Sequence, residues 1–172
     1  IDVRPGAIGE VAPLGGDPQS GRRAVFVRSD LPIEAQVSAD GATWLDRQLV
    51  RGDRPVSATG FGQDVALVLE RRIDHLQTLG LARRNAGSVR LARNLLDTLR
   101  DQELATAVRK IAAVTGLVYR PSGDGEDVAG VYRRRVTLAT GRFAMIDDGL
   151  GFTLVPWRPS LERWLGQSVS GT

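Results

Sequence analysis

The sequence contains no cysteine and a single histidine, His75, among its 172 residues. Without cysteine the chain cannot form disulfide bonds, a thiolate nucleophile or a cysteine-ligated zinc or iron–sulfur site. One histidine also excludes every centre that needs two imidazole groups. No apolar run approaches the ~18 residues that a membrane-spanning helix requires, so we expect no insertion into a membrane. The composition predicts no cofactor.

Lysine is almost absent, although the chain is basic. Of the 23 basic residues only Lys110 is a lysine, and the net charge is +3. Each arginine carries a planar guanidinium group that binds phosphate or carboxylate through two parallel hydrogen bonds. The hydrophobic content of 42% and the charged content of 25% are typical of a globular protein, which argues against disorder. Because the chain begins with Ile1, we expect it to be a piece of a longer protein.

The order of strand-like and helix-like patterns predicts an α+β protein with three regions. Residues 1–40 form an N-terminal region of short strands, of which 24–28 and 33–37 are the most β-rich. Residues 41–116 form a helical, winged-helix-like region. Residues 117–172 form a small antiparallel β-meander of the SH3-like barrel type. Turn clusters rich in glycine and proline separate the elements.

Apolar spacing predicts the elements of the two later regions. Residues 42–50 and 61–79 have helical periodicity, and 81–93 contains two strand-like runs around a glycine, which predicts a hairpin. The helical segment 94–115 changes the phase of its apolar face, which predicts a break near Arg100–Asp101. Three strands and a short helix are predicted further along, over 130–138, 142–146, 152–157 and 159–165.

The titratable residues form no recognisable catalytic set. His75 lies at the border of the apolar stripe of the helix over 61–79, where a role on the helix surface is expected. The run Asp147-Asp148-Gly149 lacks the later ligands that a metal loop needs, which indicates a turn. The sequence therefore predicts no catalytic residue, no metal site and no enzymatic activity in this chain.

One cluster of arginines lies in and beside the predicted hairpin. It consists of Arg83, Arg84, Arg90 and Arg93. A helix followed by a basic hairpin is typical of the end of a winged helix-turn-helix, whose wing contacts DNA phosphates. The alternative is a solvated turn in which these arginines form salt bridges with Asp74 and Asp97. The sequence leaves both interpretations open.

A second cluster lies on strands of the predicted meander and consists of Arg133, Arg135 and Arg142. Strict strand alternation places Arg133 and Arg135 on one face and Arg134 on the other. Apolar residues share the parity of Arg134, so the face of Arg133 and Arg135 is expected to be solvated. That face is either a basic stripe for a nucleic-acid backbone or an ordinary exposed strand face. We expect Trp157 in the core rather than stacked on bases.

Several stretches of the chain resemble a known family. They are residues 41–50 (GATWLDRQLV), 80–84 (GLARR) and the segments VAGVY, GRFAMI, FTLVPWRP and VSG between 128 and 171. Over most of residues 41–171 the chain resembles the uncharacterised C-terminal region of bacterial relaxase/mobilisation nucleases of conjugative plasmid transfer. In that family a separate N-terminal domain nicks DNA with a tyrosine and a metal held by histidines. A chain with one histidine does not inherit that activity.

The arginine clusters and the resemblance lead to one main hypothesis of function. We expect an accessory, non-catalytic DNA-binding or relaxosome-assembly module of a relaxase, located in the cytoplasm. The arginines of both clusters would contact phosphates without reading the base sequence. The alternative is a protein–protein module that docks onto a coupling or secretion protein through Trp44, Trp157 or Trp164. A third hypothesis, a hydrolase of unrecognised type, requires His75 to face a polar pocket.

Overall fold

The computed structural model describes residues 7–13, 23–52, 59–123 and 125–171. Within these ranges helices combine with antiparallel sheets of two, two and four strands, which confirms the predicted α+β class. The α-helices are α1 (Trp44–Arg51), α2 (Phe61–Thr78) and α3 (Leu95–Thr115). The strands are β1 (Ile8–Pro13), β2 (Arg23–Ser29), β3 (Ala82–Asn85), β4 (Ser88–Leu91), β5 (Val128–Thr137), β6 (Arg142–Asp147), β7 (Phe152–Pro156) and β8 (Ser168–Gly171). Two 3-10 helices span Glu34–Gln36 and Pro159–Trp164.

The chain divides into two compact units, Ile1–Arg100 and Asp101–Thr172. The boundary lies within α3, whose Leu95 packs into a core of the first unit and whose Ile111 packs into a core of the second. The predicted break near Arg100–Asp101 is therefore wrong, because α3 is one continuous helix. The change of apolar phase marks a change of packing partner along the helix, not the end of a helix.

A buried ion pair organises the first unit. Arg72 of α2 and Asp46 of α1 are both 0% exposed, and the guanidinium group donates two hydrogen bonds of 2.9 Å to the carboxylate. Its other hydrogen bonds go to the backbone carbonyls of Val37, Ala39 and Gly41. A buried charge is tolerated only when it is paired and fully hydrogen-bonded. Arg72 therefore ties both helices to the segment that precedes α1.

The predicted strand over 33–37 is wrong, because a 3-10 helix spans Glu34–Gln36. The side chain of Gln36 is buried, donates to the carbonyl of Leu31 and accepts the N–H of Leu45. These side-chain bonds to the backbone on both sides of the segment stabilise a tight turn in place of an extended strand.

The remaining predicted elements of the first unit agree with the structure where it describes them. The strand over 24–28 lies within β2, which pairs antiparallel with β1. The helices over 42–50 and 61–79 are α1 and α2, and the hairpin over 81–93 is β3–β4. Residues 14–22, which hold one of the glycine- and proline-rich turn clusters, and residues 53–58 between α1 and α2 lie outside the described residues.

The second unit contains a four-stranded antiparallel sheet in the order β7-β6-β5-β8, curled into a half-barrel. The three predicted strands are confirmed as β5, β6 and β7, whereas no sequence pattern indicates β8. One face of the sheet packs Phe143 and Met145 against Ile111 of α3. The other face buries Tyr132 and Ala144 in a separate cluster. The sheet is therefore covered on both faces.

An irregularity in β5 changes which residues share a face. The register shifts between Tyr132 and Arg134, which is the mark of a β-bulge. Close by, Gly130 has a φ of +159°, and a Cβ atom there would lie 2.4 Å from the carbonyl oxygen of Asp147. The backbones of β5 and β6 approach so closely at this point that only glycine fits.

The part of the chain that the structure describes contains no candidate membrane-spanning helix. No helix in it has both the length and the apolar character that a bilayer span demands.

Candidate nucleic-acid interface

The predicted site residues fall into one group in each unit. The first unit carries Arg83, Arg84, Arg90 and Arg93, on and beside the β3–β4 hairpin. The second unit carries Arg133, Arg135 and Arg142, on β5 and β6. Each group is built by its own elements and has its own neighbours.

The hairpin places Arg83 and Arg90 directly opposite each other. They form one cross-strand pair in the register of β3 and β4. The adjacent pair, Ala82 and Leu91, packs into the hydrophobic core of the unit. Because successive residues of a strand point to opposite faces, Arg83 and Arg90 lie on the outer face. The turn between the strands holds Gly87 at a φ of +87°, a conformation that glycine adopts without strain.

Neither arginine of this pair is neutralised within the described ranges. Arg83 and Arg90 are exposed, and neither forms an ion pair or side-chain hydrogen bond with a described residue. Like charges directly opposite each other destabilise a strand pair. The outer face of the hairpin therefore carries two adjacent positive charges whose repulsion no described carboxylate relieves.

Arg84 has a different role, because it lies on the inner face of the hairpin. Its guanidinium group forms ion pairs with Asp74 at 2.8 Å and Glu70 at 2.9 Å, and its Nε donates to Gln77 at 3.1 Å. The hydrogen bonds with Asp74 and then Glu70 raise the pKa of Arg84 above its ordinary value. The predicted salt bridge to Asp74 therefore forms at Arg84, where it anchors the hairpin to α2.

Arg93 follows the hairpin and precedes α3. It is exposed and forms no ion pair with a residue in the described ranges, including the Asp97 that the alternative interpretation assigned to this cluster. Arg93 therefore adds a third uncompensated positive charge next to the hairpin.

In the second unit a β-bulge interrupts the simple alternation of β5 at Arg133, while Arg134 and Arg135 lie on opposite faces as expected. Arg134 lies opposite Met145, and Arg135 lies opposite Ala144. Arg135 therefore shares the face of Ala144 and, across the bulge, of Tyr132, which strict alternation would place on the other face. The extra residue at the bulge is the physical reason, because it shifts every later residue of the strand by one position.

Arg133 is held by a carboxylate. Its Nε donates to Oδ2 of Asp147 at 2.9 Å. The same carboxyl group accepts the backbone N–H of Gly149 through Oδ1 at 2.8 Å. This backbone hydrogen bond and then Arg133 lower the pKa of Asp147 below its ordinary value. The free protein thus already supplies Arg133 with an anionic partner.

Arg135 and Arg142 both lie over the indole of Trp157. Their guanidinium carbons are 5.1 Å and 5.5 Å from the ring centre, within the range of a cation–π interaction. Arg135 also forms an ion pair with Glu162 at 3.5 Å. Both arginines therefore stack on the same aromatic ring, and Glu162 neutralises Arg135.

His75 and the run Asp147-Asp148-Gly149, which the sequence predicts on a helix surface and in a turn, have the following surroundings. His75 is half-buried on α2, and its side chain forms no hydrogen bond or ion pair with a described residue. The Asp147-Asp148-Gly149 run is the predicted turn, in which Oδ1 of Asp148 accepts the N–H groups of Leu150 and Gly151. Across the described ranges no group of three or more acidic or histidine side chains is placed to hold a metal ion.

Sequence reasoning missed two features of these sites. The buried Arg72 looks like any other helix arginine, and its position on the apolar stripe of α2 is the only signal that could have revealed it. Trp157 packs against the core cluster as expected, but it also carries two arginines, which no local pattern indicates.

One protein-family model, described as a protein of unknown function (DUF3363), matches residues 17–172 of the chain. No curated protein and no solved structure matches it.

Proposed function

We propose that this chain, which belongs to the DUF3363 family of proteins of unknown function, is an accessory, non-catalytic module that binds the phosphate backbone of DNA. The module would serve a conjugative relaxase, either by holding DNA or by helping to assemble the relaxosome. The relaxase setting rests on the resemblance of residues 41–171 to the C-terminal region of mobilisation nucleases.

The observation that carries the proposal is the cross-strand pair of Arg83 and Arg90. Two guanidinium groups share the exposed face of a hairpin, and no described carboxylate is within ion-pair distance of either. A phosphate group would satisfy the hydrogen bonds of both and remove their mutual repulsion. Arg93 extends the positive surface toward the start of α3.

The arginines of the second unit support the proposal less directly. DNA would have to displace Asp147 from Arg133 and Glu162 from Arg135 before it gained those contacts. The Arg135–Glu162 pair is largely exposed, and such pairs are worth only about 0–1 kcal/mol. The carboxylate of Asp147 is only 9% exposed, so separating it from Arg133 costs more. We therefore expect Arg135 to add a weaker contact and Arg133 to add the least, because its partner carboxylate is the more buried one.

An electrophoretic mobility-shift titration in a series of salt concentrations tests the proposal. We expect the protein to bind single- and double-stranded DNA with an affinity that falls steeply with salt, because phosphate contacts release counterions. The double variant R83A/R90A should lose about tenfold or more in affinity, since charge-assisted hydrogen bonds are worth ~1.5–3 kcal/mol each.

The control for charge is Arg51→Ala, which is matched to each of the single variants R83A and R90A. Arg51 is exposed, lies in the same unit and has no ion-pair partner among the described residues, so this variant changes the charge without touching the hairpin. It should bind nearly as well as the parent protein. A binding curve that does not respond to salt, or equal losses in the hairpin and control variants, would contradict the proposal.

A protein-docking module is the second candidate, and it is favoured by exposed apolar residues beside the half-barrel. Trp164 is 40% exposed and the neighbouring Leu165 is 52% exposed. Tryptophan is a frequent anchor of protein interfaces. Binding of a purified coupling protein that is lost in W164A but kept in R83A/R90A would favour docking over DNA binding.

A further inference from the structure

We infer that Arg83 and Arg90 act as one clamp that holds a single phosphodiester group between them. This inference rests on the proposed function, because it specifies how the hairpin would hold a nucleic-acid backbone. Its ligand is one strand of phosphodiester backbone, recognised by charge and shape and not by base sequence.

The register supports a shared ligand. Arg83 and Arg90 occupy the same cross-strand pair and leave the same face of the hairpin. Side chains at such positions start only about 4.5–5.5 Å apart at their Cβ atoms. Two arginine side chains that start this close can both reach one phosphate, and each can donate to its oxygens through a planar fork.

The charges around the hairpin support an external ligand. The carboxylates nearest to the hairpin that the structure records in ion pairs are Glu70 and Asp74, and both are engaged by Arg84 on the inner face. The outer pair is left with its own repulsion and no described partner. A single anion bound between the two guanidinium groups would cancel this repulsion, whereas two separate anions would bring their own repulsion to the site.

A neutral donor lies beside the arginine pair on the outer face. The next cross-strand pair with the same orientation is Asn85 and Ser88, and both residues are exposed. The amide of Asn85 can donate to a phosphate oxygen without adding charge, whereas the hydroxyl of Ser88 already donates to the backbone carbonyl of Asn85. The surface therefore presents two charged donors and one neutral donor along the hairpin, and none of them distinguishes one base from another.

A double-mutant cycle in DNA binding tests the clamp. The variants are Arg83→Gln, Arg90→Gln and the double variant, each titrated with oligo(dT) and with duplex DNA in a salt series, and Arg51→Gln is the control. If one phosphate is shared, the slope of log affinity against log salt should fall by about 0.9 in the double variant on duplex DNA, as for one lost contact, and not by ~1.8. The two single variants should lose more affinity in total than the double variant, because each single variant also loses the relief of repulsion.

Inorganic pyrophosphate provides a second measurement that does not depend on DNA. At matched ionic strength it should raise the melting temperature of the parent protein but not of either single variant, since the clamp needs both arginines. The double variant should lose a similar factor of affinity for oligo(dT) and for duplex DNA, because one strand supplies the phosphate.

The outcomes separate the clamp from the proposed function. If the slope of log affinity against log salt falls by ~1.8 in the double variant and the affinity losses of the two single variants add up, each arginine binds its own phosphate. The clamp would then be wrong, while DNA binding would stand. An unchanged affinity in the double variant would overturn the clamp and remove the hairpin from the proposed function. If the double variant loses affinity for duplex DNA but not for oligo(dT), the site needs two strands, which also contradicts the clamp.

Discussion

Arginine side chains have different surroundings on the hairpin of the first unit and on the sheet of the second unit. On the hairpin, Arg83 and Arg90 face each other with no described anionic partner. On the sheet, Arg133 is paired with Asp147, and Arg135 is paired with Glu162. A count of arginines along the sequence therefore overestimates the positive charge that is available to a ligand. The available charge depends on which carboxylates the fold brings to each arginine.

The difference arises from where the acidic residues lie. On the hairpin the carboxylates of the described residues approach from α2 and contact Arg84 on the inner face. In the second unit they come from the last residue of β6 and from a 3-10 helix, which place Asp147 and Glu162 beside the arginines of β5. We expect the hairpin to dominate binding and the sheet to contribute little until its ion pairs open.

The largest effect on this difference between the two units is expected from a variant that unfolds the first unit alone. Arg72→Gln leaves Asp46 buried without its partner, and the loss of one member of a buried pair costs about 3–5 kcal/mol. Every recorded contact of Arg72 lies within Ile1–Arg100. Hydrogen exchange measured by mass spectrometry should therefore show faster exchange in β3 and β4 and preserved protection in β5 to β7, with DNA affinity sharply reduced.

The adjacent Arg71→Gln is the control for that variant. It removes the same charge from an exposed ion pair with Glu34, and exposed pairs contribute about 0–1 kcal/mol. If Arg72→Gln retains the DNA affinity of the parent protein while the first unit exchanges freely, the hairpin is not the main site.

Disturbing the second unit gives the reciprocal experiment. Gly130→Ala places a Cβ atom 2.4 Å from the carbonyl oxygen of Asp147, at a φ of +159°. Overpacking and backbone strain of this kind cost on the order of 2 kcal/mol. We expect a lower melting temperature for the sheet and nearly unchanged binding of DNA by the hairpin.

Gly141→Ala is the control for the glycine variant, because nothing lies within 4 Å of a Cβ atom at that position. It should melt like the parent protein. A loss of DNA affinity in Gly130→Ala as large as in R83A/R90A would show that the sheet contributes as much as the hairpin.

The smallest effect is expected from opening one ion pair on the sheet. Glu162→Gln removes the carboxylate that contacts Arg135 at 3.5 Å and leaves Arg135 stacked on Trp157. DNA affinity should rise about twofold at low salt, in line with the 0–1 kcal/mol of an exposed pair. Asp127→Asn changes the net charge equally at an exposed position of the same unit, so only the excess over this control reports on Arg135. Equal effects of the two variants would remove Arg135 from the binding surface.

Local patterns account for much of the fold. α2, the β3–β4 hairpin and strands β5 to β7 are predicted because the apolar spacing within each segment matches the structure that forms. The wrong predictions share one cause, which is a contact from outside the segment. Gln36 forms side-chain bonds that turn the segment 33–37 into a 3-10 helix. The two ends of α3 pack in different units, which produces a phase change that imitates a break.

The candidate site could be predicted only in part. The parity of the hairpin follows from its sequence once the turn is placed, so Arg83 and Arg90 could have been assigned to one face in advance. The bulge at Tyr132–Arg134 could not, since it depends on how β5 fits against β6. The sequence left open whether the hairpin arginines form salt bridges. Arg84 does so with Glu70 and Asp74, because the hairpin packs on α2.

The amino-acid sequence by itself determined where helices, hairpin and meander form and how much arginine each carries, because those properties depend on neighbours within a few positions. Only the tertiary structure decided which arginines keep an unneutralised charge. Ion pairs and cation–π contacts join residues from different elements, such as Arg135 with Glu162 and Trp157. Their formation depends on the distance between side chains in space, which no local pattern encodes.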